Sequence, residues 1–279
     1  MSYKRILTVQ DISCVGQCSL TVALPILSAC GLETAILPSA VLSTHTGGFK
    51  GYTFHDLTQE MPCIIQHWKR EGLGFDAVYS GYLGNALQTQ YIKDIYESLL
   101  NPGGRRIVDP AMADNGRLYP GFDAAYVDAM RRFVFAADLL LPNITEAALL
   151  TGTEYREQYD ESYIDGLLEA LRAAGARTVV LTGVSYDEKT TGVVTCDGAG
   201  KSYYRHEKLP KGCHGTGDVF ASVFAGMVTR GKSACDAAAA AADFTLSCIR
   251  YTAADPSHWY GVKFEPLLGA LTSQLQPRA

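Results

Sequence analysis

The 279 residues carry a formal net charge of -5, with 47% hydrophobic and 19% charged residues. That is enough apolar material for the core of a single α/β domain spanning 1–279, and no Lys/Arg block of the kind that grips nucleic acid or an anionic membrane is present. Composition therefore argues against nucleic-acid and membrane partners and for a small-molecule role. No apolar run is long enough to cross a bilayer, and the N-terminal "MSYKRILTVQD" turns polar at Gln10, too soon for a signal-peptide core, so a cytoplasmic location is expected. The eight cysteines (Cys14, Cys18, Cys30, Cys63, Cys196, Cys213, Cys235 and Cys248) form no CxxC pair, and most stand in apolar surroundings typical of reduced, buried thiols.

In chain order, "RILTVQ" (5–10) reads as a buried strand and "SLTVALPILSACG" (19–31) as a helix stopped by Gly31. "ETAILP" (33–38) is the next strand. Asp56 and Gln59 in "HDLTQE" have capping-box spacing, so a helix is expected from there until it fades near "EGLGFD". Strand 77–81, helix 87–100, strand 105–110, helix 123–135, strand 138–142, helix 160–174 and strand 178–183 follow. Such alternation predicts three layers, helix–sheet–helix, around a mostly parallel sheet. "TTGVVTC" (190–196) and "KSYYRHE" (201–207), separated by "DGAG", then read as an antiparallel hairpin at the sheet edge. Helices are expected over 216–229, 233–250 and 264–275. In open parallel sheets the ligand crevice lies beyond the carboxyl ends of the strands, so the loops after 10, 38, 81, 110, 142 and 183 should converge.

Those loops hold the residues with chemical content. In "GTGD", Gly215 and Gly217 allow close backbone approach to an anion at a helix start, and Asp218 sits beside it. A carboxylate there has the wrong sign for holding phosphate but suits a base that takes a proton from a nucleophilic hydroxyl. Helix capping alone accounts for the motif in isolation. In "PNITE", Asn143 and Glu146 have capping-box spacing, and the same residues could orient a phosphate and hold Mg²⁺-bound water. Asp109 and Asp114 in "DPAMADNGRLY" offer further oxygen ligands on the same rim, or simply a turn. Tyr82 in "SGYLGN", and His45 and Phe49 in "STHTGGFKGY", present rings that can stack on a flat substrate, while an anchoring tyrosine and a satisfied surface histidine serve equally well. No GxxxxGK[ST] loop, dinucleotide fingerprint or GxSxG elbow occurs. Cys213 and His214 are adjacent with no second Cys/His cluster, which argues against zinc.

The ordered set "SGYLGN", "DPAMADNG", "PNITE" and "GTGD" resembles the ribokinase-like superfamily, most closely its vitamin B6 branch, and the match is collinear from residue 5 to about 250. The resemblance implies a kinase that transfers the ATP γ-phosphate to the 5'-hydroxymethyl group of pyridoxal, pyridoxamine or pyridoxine. It further implies Mg²⁺, a monovalent cation such as K⁺, and a homodimer. Carried over by position, Asp218 is implied as catalytic base, with the amides of Gly215, Thr216 and Gly217 as the anion hole. Glu146 and Asp109 are implied near the metal, Asn143, Asp114 and Thr182 toward the nucleotide, and Thr46 and Tyr82 against the pyridine ring. Two departures bear on the acceptor: Asp11 stands where many members have a serine contacting the ring, and "CHGTGD" is similar to the HGTG loop of hydroxymethylpyrimidine kinases. Cys213 lies where a lid cysteine of some B6 kinases reacts with the pyridoxal aldehyde. A hydroxymethylpyrimidine kinase and a non-catalytic vitamer- or nucleotide-binding protein are the alternatives.

Overall fold

A computed structural model describes residues 3–209 and 212–273. The elements in chain order are β1 (Arg5–Ser13), α1 (Leu20–Ala29), β2 (Glu33–Leu42), β3 (Phe54–Asp56), α2 (Met61–Arg70), β4 (Phe75–Ser80), α3 (Gln88–Ser98) and β5 (Leu100–Val108). They continue with β6 (Ala113–Asp114), β7 (Arg117–Leu118), α4 (Ala124–Val134), β8 (Leu139–Leu140), α5 (Ile144–Thr151), α6 (Glu161–Ala173) and β9 (Thr178–Val184). The hairpin β10 (Thr190–Asp197) and β11 (Gly200–Glu207), α7 (Thr216–Thr229), α8 (Ala234–Ala253), a 3₁₀ turn (Glu265–Leu267) and α9 (Leu268–Ser273) complete the set.

Nine strands form one sheet in the order β11-β10-β9-β8-β5-β4-β1-β2-β3. The six strands from β9 to β2 run parallel. The β10–β11 hairpin extends one edge antiparallel, as its sequence predicts, and β3 closes the other edge antiparallel against β2. Side chains of a strand alternate between faces, so each parallel strand feeds two cores. On β1, Leu7 and Val9 pack with residues of α2 to α6, whereas Ile6 packs with α1, α7 and α8. The second layer is tight because small residues let helices approach: a Cβ on Gly226 of α7 would lie 2.6 Å from the Cys30 sulfur just after α1.

Several expectations need correction. Asp56 caps no helix; it ends β3 and accepts a hydrogen bond from the Thr58 amide, and α2 starts only at Met61 behind a Glu60 that makes no side-chain cap. The stretch after Asp109, read as ligands or a turn, holds a turn between the two-residue strands β6 and β7, with Asn115 at φ 50°. The segment expected as helix 264–275 begins as a 3₁₀ turn and is helical over Leu268–Ser273, while positions 274 and 275 lie outside the described residues. The cysteines are less buried than their apolar context suggests: Cys30 and Cys248 are buried, Cys14, Cys63 and Cys235 are exposed, and the other three are intermediate. Among the described residues no helix is long and apolar enough to cross a membrane.

Candidate active site

The hydrogen-bond ladder of the parallel sheet carries one step past the strand ends, which sets their exits in a row. Gly81 N donates to Val9 O, Asp109 N to Ser80 O, Leu141 N to Val108 O and Thr182 N to Pro142 O, each at 2.8–3.1 Å. Tyr82, Asp109 and Asn143 therefore leave the sheet along one rim, beside Thr182 near the end of β9. Asp11 reaches the same rim by another route: the register of β1 on β2 slips between Gln10 and Ile12, and a bulge of this kind re-aims a side chain. A cavity of about 620 Å³ opens over this rim, large enough for a small molecule. Fifteen of the sixteen candidate residues line it: Asp11, His45, Thr46, Tyr82, Asp109, Asp114, Asn143, Glu146, Thr182, Cys213, His214, Gly215, Thr216, Gly217 and Asp218.

Helix α7 begins at the cavity with no side-chain cap. Its N-cap, Gly215, has φ 81°, and a Cβ there would sit 1.8 Å from the Gln17 carbonyl oxygen, so only glycine fits. At Gly217 a Cβ would meet nothing within 4 Å. The first amides of a helix have no intrahelical acceptor, so the start of α7 is a cradle for an anion. Asp218 is the third residue of this helix and stands on the cavity wall. Burial raises its pKa to about 7; a backbone hydrogen bond at Ser19 works against that rise, Asp11 adds to it, and the Cys18 thiol works against it. A carboxylate that ionises near neutrality is matched to taking a proton from a hydroxyl.

Helix α5 begins on the opposite part of the same wall, and here the capping box is closed. Asn143 Oδ1 accepts from Glu146 N at 2.9 Å, and Glu146 Oε2 accepts from Asn143 N at 2.9 Å. Glu146 Oε1 also accepts from Met112 N at 3.0 Å, while Asn143 Nδ2 donates to Ala113 O at 2.8 Å. The pair thereby ties the loop after Asp109 to the helix. Burial lifts the Glu146 pKa to about 7 against these amide bonds, and Asp114 adds to the rise. Asp109 is driven well above the usual carboxylate range by burial, then by Glu146 and Asp218. Asp114 stands at the outer rim with its carboxylate engaged by the amide and side chain of Asn115. Among the described residues no cluster of three or more His, Cys, Asp or Glu side chains forms a ready metal cage. Mutually repelling oxygen donors of this kind fit a hard cation that keeps waters and shares phosphate ligands, such as Mg²⁺.

At the other end, Asp11 is 3% exposed and accepts from Ser13 Oγ at 2.9 Å. Tyr82 lies against Phe122, ring centroids 5.2 Å apart, and burial together with Asp11 keeps its phenol protonated. His45 is a buried anchor and not a surface residue: Nδ1 accepts from Gly47 N at 3.0 Å, which leaves Nε2 to donate to the Tyr260 carbonyl. Its ring meets His214 at 5.3 Å. Phe49 does not reach the cavity wall; it packs behind it between His45 and Trp259, at 5.0 and 4.8 Å. Thr46 lines the wall, and Cys213 does so while its carbonyl accepts from Thr216 Oγ1 at 3.2 Å.

Reading the sequence missed Ser13, Cys18, Ser19 and Tyr119, which also line the cavity. The first three belong to "VQDISCVGQCSL", which shows no fingerprint; the available signal was the density of small polar residues just after the first strand. Tyr119 sits among Glu146, Asp114, Asp109 and Asp218, and burial together with these charges holds its phenol protonated.

Known proteins resemble this chain in sequence and in fold. The model of the phosphomethylpyrimidine kinase family matches residues 30–262. Pyridoxal kinase PdxY of Leifsonia xyli is 30% identical over 230 residues, covering 79% of each chain. Among solved structures, pyridoxal kinase from Lactobacillus plantarum superposes with a TM-score of 0.90 at 37% identity, covering 98% of both chains. A Bacteroides thetaiotaomicron protein named for phosphomethylpyrimidine kinase, in a crystal form with pyridoxal, gives 0.90 at 37% identity over 97% of this chain and 96% of that one.

Proposed function

We propose, from the premise that the chain belongs to the phosphomethylpyrimidine kinase family and, within the ribokinase-like superfamily, to its vitamin B6 branch, that it is an ATP-dependent B6-vitamer kinase. The acceptor is the 5'-hydroxymethyl group of pyridoxal, pyridoxamine or pyridoxine. The observation that carries this reading is the start of α7, where an uncapped, glycine-bearing helix terminus and a carboxylate with pKa about 7 share one wall of the cavity.

Asp218 takes the proton of the acceptor hydroxyl as its oxygen bonds to the γ-phosphorus and the bond from that phosphorus to the ADP oxygen breaks. The amides at Gly215, Thr216 and Gly217 face the charge that develops on the transferring group. Asn143 and Thr182 lie toward the remaining phosphates. Leu141, Val193, Phe220, Ala242 and Ile249 give that end of the cavity an apolar surface suited to a base. Asp109 and Glu146, with water, would hold Mg²⁺, which when bound supplies positive charge against the triphosphate. Tyr82, Thr46 and the His45–His214 pair enclose the ring of the acceptor.

The family match by its name favours a second acceptor class, the phosphomethylpyrimidines, together with the hydroxymethylpyrimidines they derive from. One screen separates the readings: ADP release from ATP and Mg²⁺ with each acceptor in turn. A B6-vitamer kinase releases ADP with pyridoxal, pyridoxamine or pyridoxine at higher kcat/KM than with hydroxymethylpyrimidine. The reverse order would replace the proposal by the second reading, and ADP release with no acceptor at all would remove both.

A further inference from the structure

The acceptor end of the cavity carries a charge pattern that the kinase reading does not use. Five carboxylates line the cavity (Asp11, Asp109, Asp114, Glu146 and Asp218), and among the described residues no Lys or Arg does. Asp109, Asp114 and Glu146 are accounted for on the phosphate side. Asp11 is not. It is 3% exposed, burial raises its pKa, and the hydrogen bonds that oppose the rise come from uncharged donors, the side chain of Ser19, Ser13 Oγ at 2.9 Å and its own backbone amide. A buried carboxylate without a cationic partner is costly, and a chain has no structural reason to keep one in a strand where serine or asparagine could make the same hydrogen bonds. The bulge at Gln10/Ile12 turns this residue toward the ligand space. Nearby groups do not neutralise it. Asp218 adds a like charge, Tyr82 is a neutral phenol, and the His45 ring uses Nδ1 as an acceptor. His214 is held toward its neutral form by burial and by His45.

We propose that Asp11 is a specificity-determining residue that admits acceptors carrying a positive charge, on the ring nitrogen or on a side-chain ammonium, and that this end of the cavity rejects acceptors already bearing a phosphate. The proposal rests on the kinase reading above. A cation here gains a charge-assisted hydrogen bond in a site that otherwise holds an unneutralised acid. A phosphate on the acceptor meets Asp11 and Asp218, and among the described residues no Lys or Arg lines the cavity to offset them. The family's name notwithstanding, phosphomethylpyrimidine is then a poor acceptor.

The test measures kcat/KM for pyridoxine, pyridoxamine, hydroxymethylpyrimidine and phosphomethylpyrimidine with wild type, Asp11→Asn and Asp11→Ser. KM for ATP and the unfolding midpoint report on integrity. Asp11→Asn should lose roughly 10- to 100-fold in kcat/KM for the cationic acceptors, as expected for trading a charged for a neutral hydrogen bond, with KM for ATP unchanged. A loss with both pyridoxine and pyridoxamine assigns the ring nitrogen; a loss with pyridoxamine alone assigns the ammonium. Undiminished kcat/KM for both vitamers in both variants would overturn the role of Asp11. Turnover of phosphomethylpyrimidine as fast as the hydroxymethyl form in wild type would overturn the exclusion, and needs no variant. If wild type releases ADP with none of the acceptors, the kinase reading has failed instead. Calorimetric binding of pyridoxamine to wild type and Asp11→Asn without ATP then still decides Asp11, weaker binding supporting it and equal binding overturning it.

Discussion

Helices α5 and α7 start on the same cavity, and each places an acid at its third residue, yet the two termini are built for different tasks. At α5 the acid turns back: Glu146 and the N-cap Asn143 satisfy each other's amides, and their remaining atoms tie down residues 112 and 113. At α7 the N-cap is Gly215, no side chain caps the amides, and Asp218 engages the Ser19 and Cys18 segment across the site. A closed capping box stabilises the fold first, and its acid meets a ligand only through a metal and its waters. An open one leaves its amides for an anion and its acid for proton transfer. Both acids share burial and a pKa near 7, so hydrogen bonding, more than charge, separates framework from chemistry.

Substitutions at the two termini should therefore differ in what they damage. Gly215→Ala is the most severe: a methyl 1.8 Å from the Gln17 carbonyl and a left-handed φ cannot both be tolerated without moving the loop. Turnover should be lost, together with roughly 2–4 kcal/mol of stability by denaturant unfolding, in the range of backbone strain plus overpacking. Glu146→Ala removes the acceptor of several buried amides and should cost about 2–3 kcal/mol, read the same way. If it left the unfolding midpoint unchanged, the assignment of Glu146 to the framework would be wrong. Gly217→Ala, with open space at its Cβ, should keep the fold and weaken nucleotide binding, measured as a raised KM for ATP beside an unchanged unfolding midpoint.

The pH dependence of stability sharpens the same contrast at smaller amplitude. Asp218 has its pKa raised from 3.8 to about 7 and Glu146 from 4.5 to about 7. Between about pH 4 and 7 the folded chain keeps protons on these two acids that the unfolded chain releases, so stability falls as pH rises through this window, and Asp11 and Asp109, also raised by burial, add to the decline. Thermal unfolding across pH 4–8 should show this decline in wild type and a shallower one in Asp218→Asn. An equal slope in both would mean that Asp218 does not carry a raised pKa.

Much of this site was legible in the sequence because a parallel sheet delivers its loops to one edge, and strands such as 77–81 and 178–183 are apolar runs with clear ends. What was not legible lacked a pattern to read. Strand β3 is three exposed residues long, and β6 and β7 have two residues each, too short for any alternation. Asp56 with Gln59 matches a capping box letter for letter, but its carboxylate is taken by Thr58, and spacing alone cannot report that competition. Helix α5 is buried on nearly every side, so it has no amphipathic period, and the sequence revealed only its cap. His45 reads as a stacking ring or a surface residue until the distant Tyr260 carbonyl, 215 positions along, is seen to hold it. Cys18 and Ser19 reach Asp218 only because the chain folds α1 beside α7.

The most direct test of the account is the turnover number of Asp218→Asn for ATP-dependent phosphorylation of pyridoxal, measured with the binding of pyridoxal and ATP. With the open terminus of α7 as the catalytic one, kcat falls by roughly 10² or more while both ligands still bind, the range for removing a general base. Turnover at the wild-type rate would contradict it.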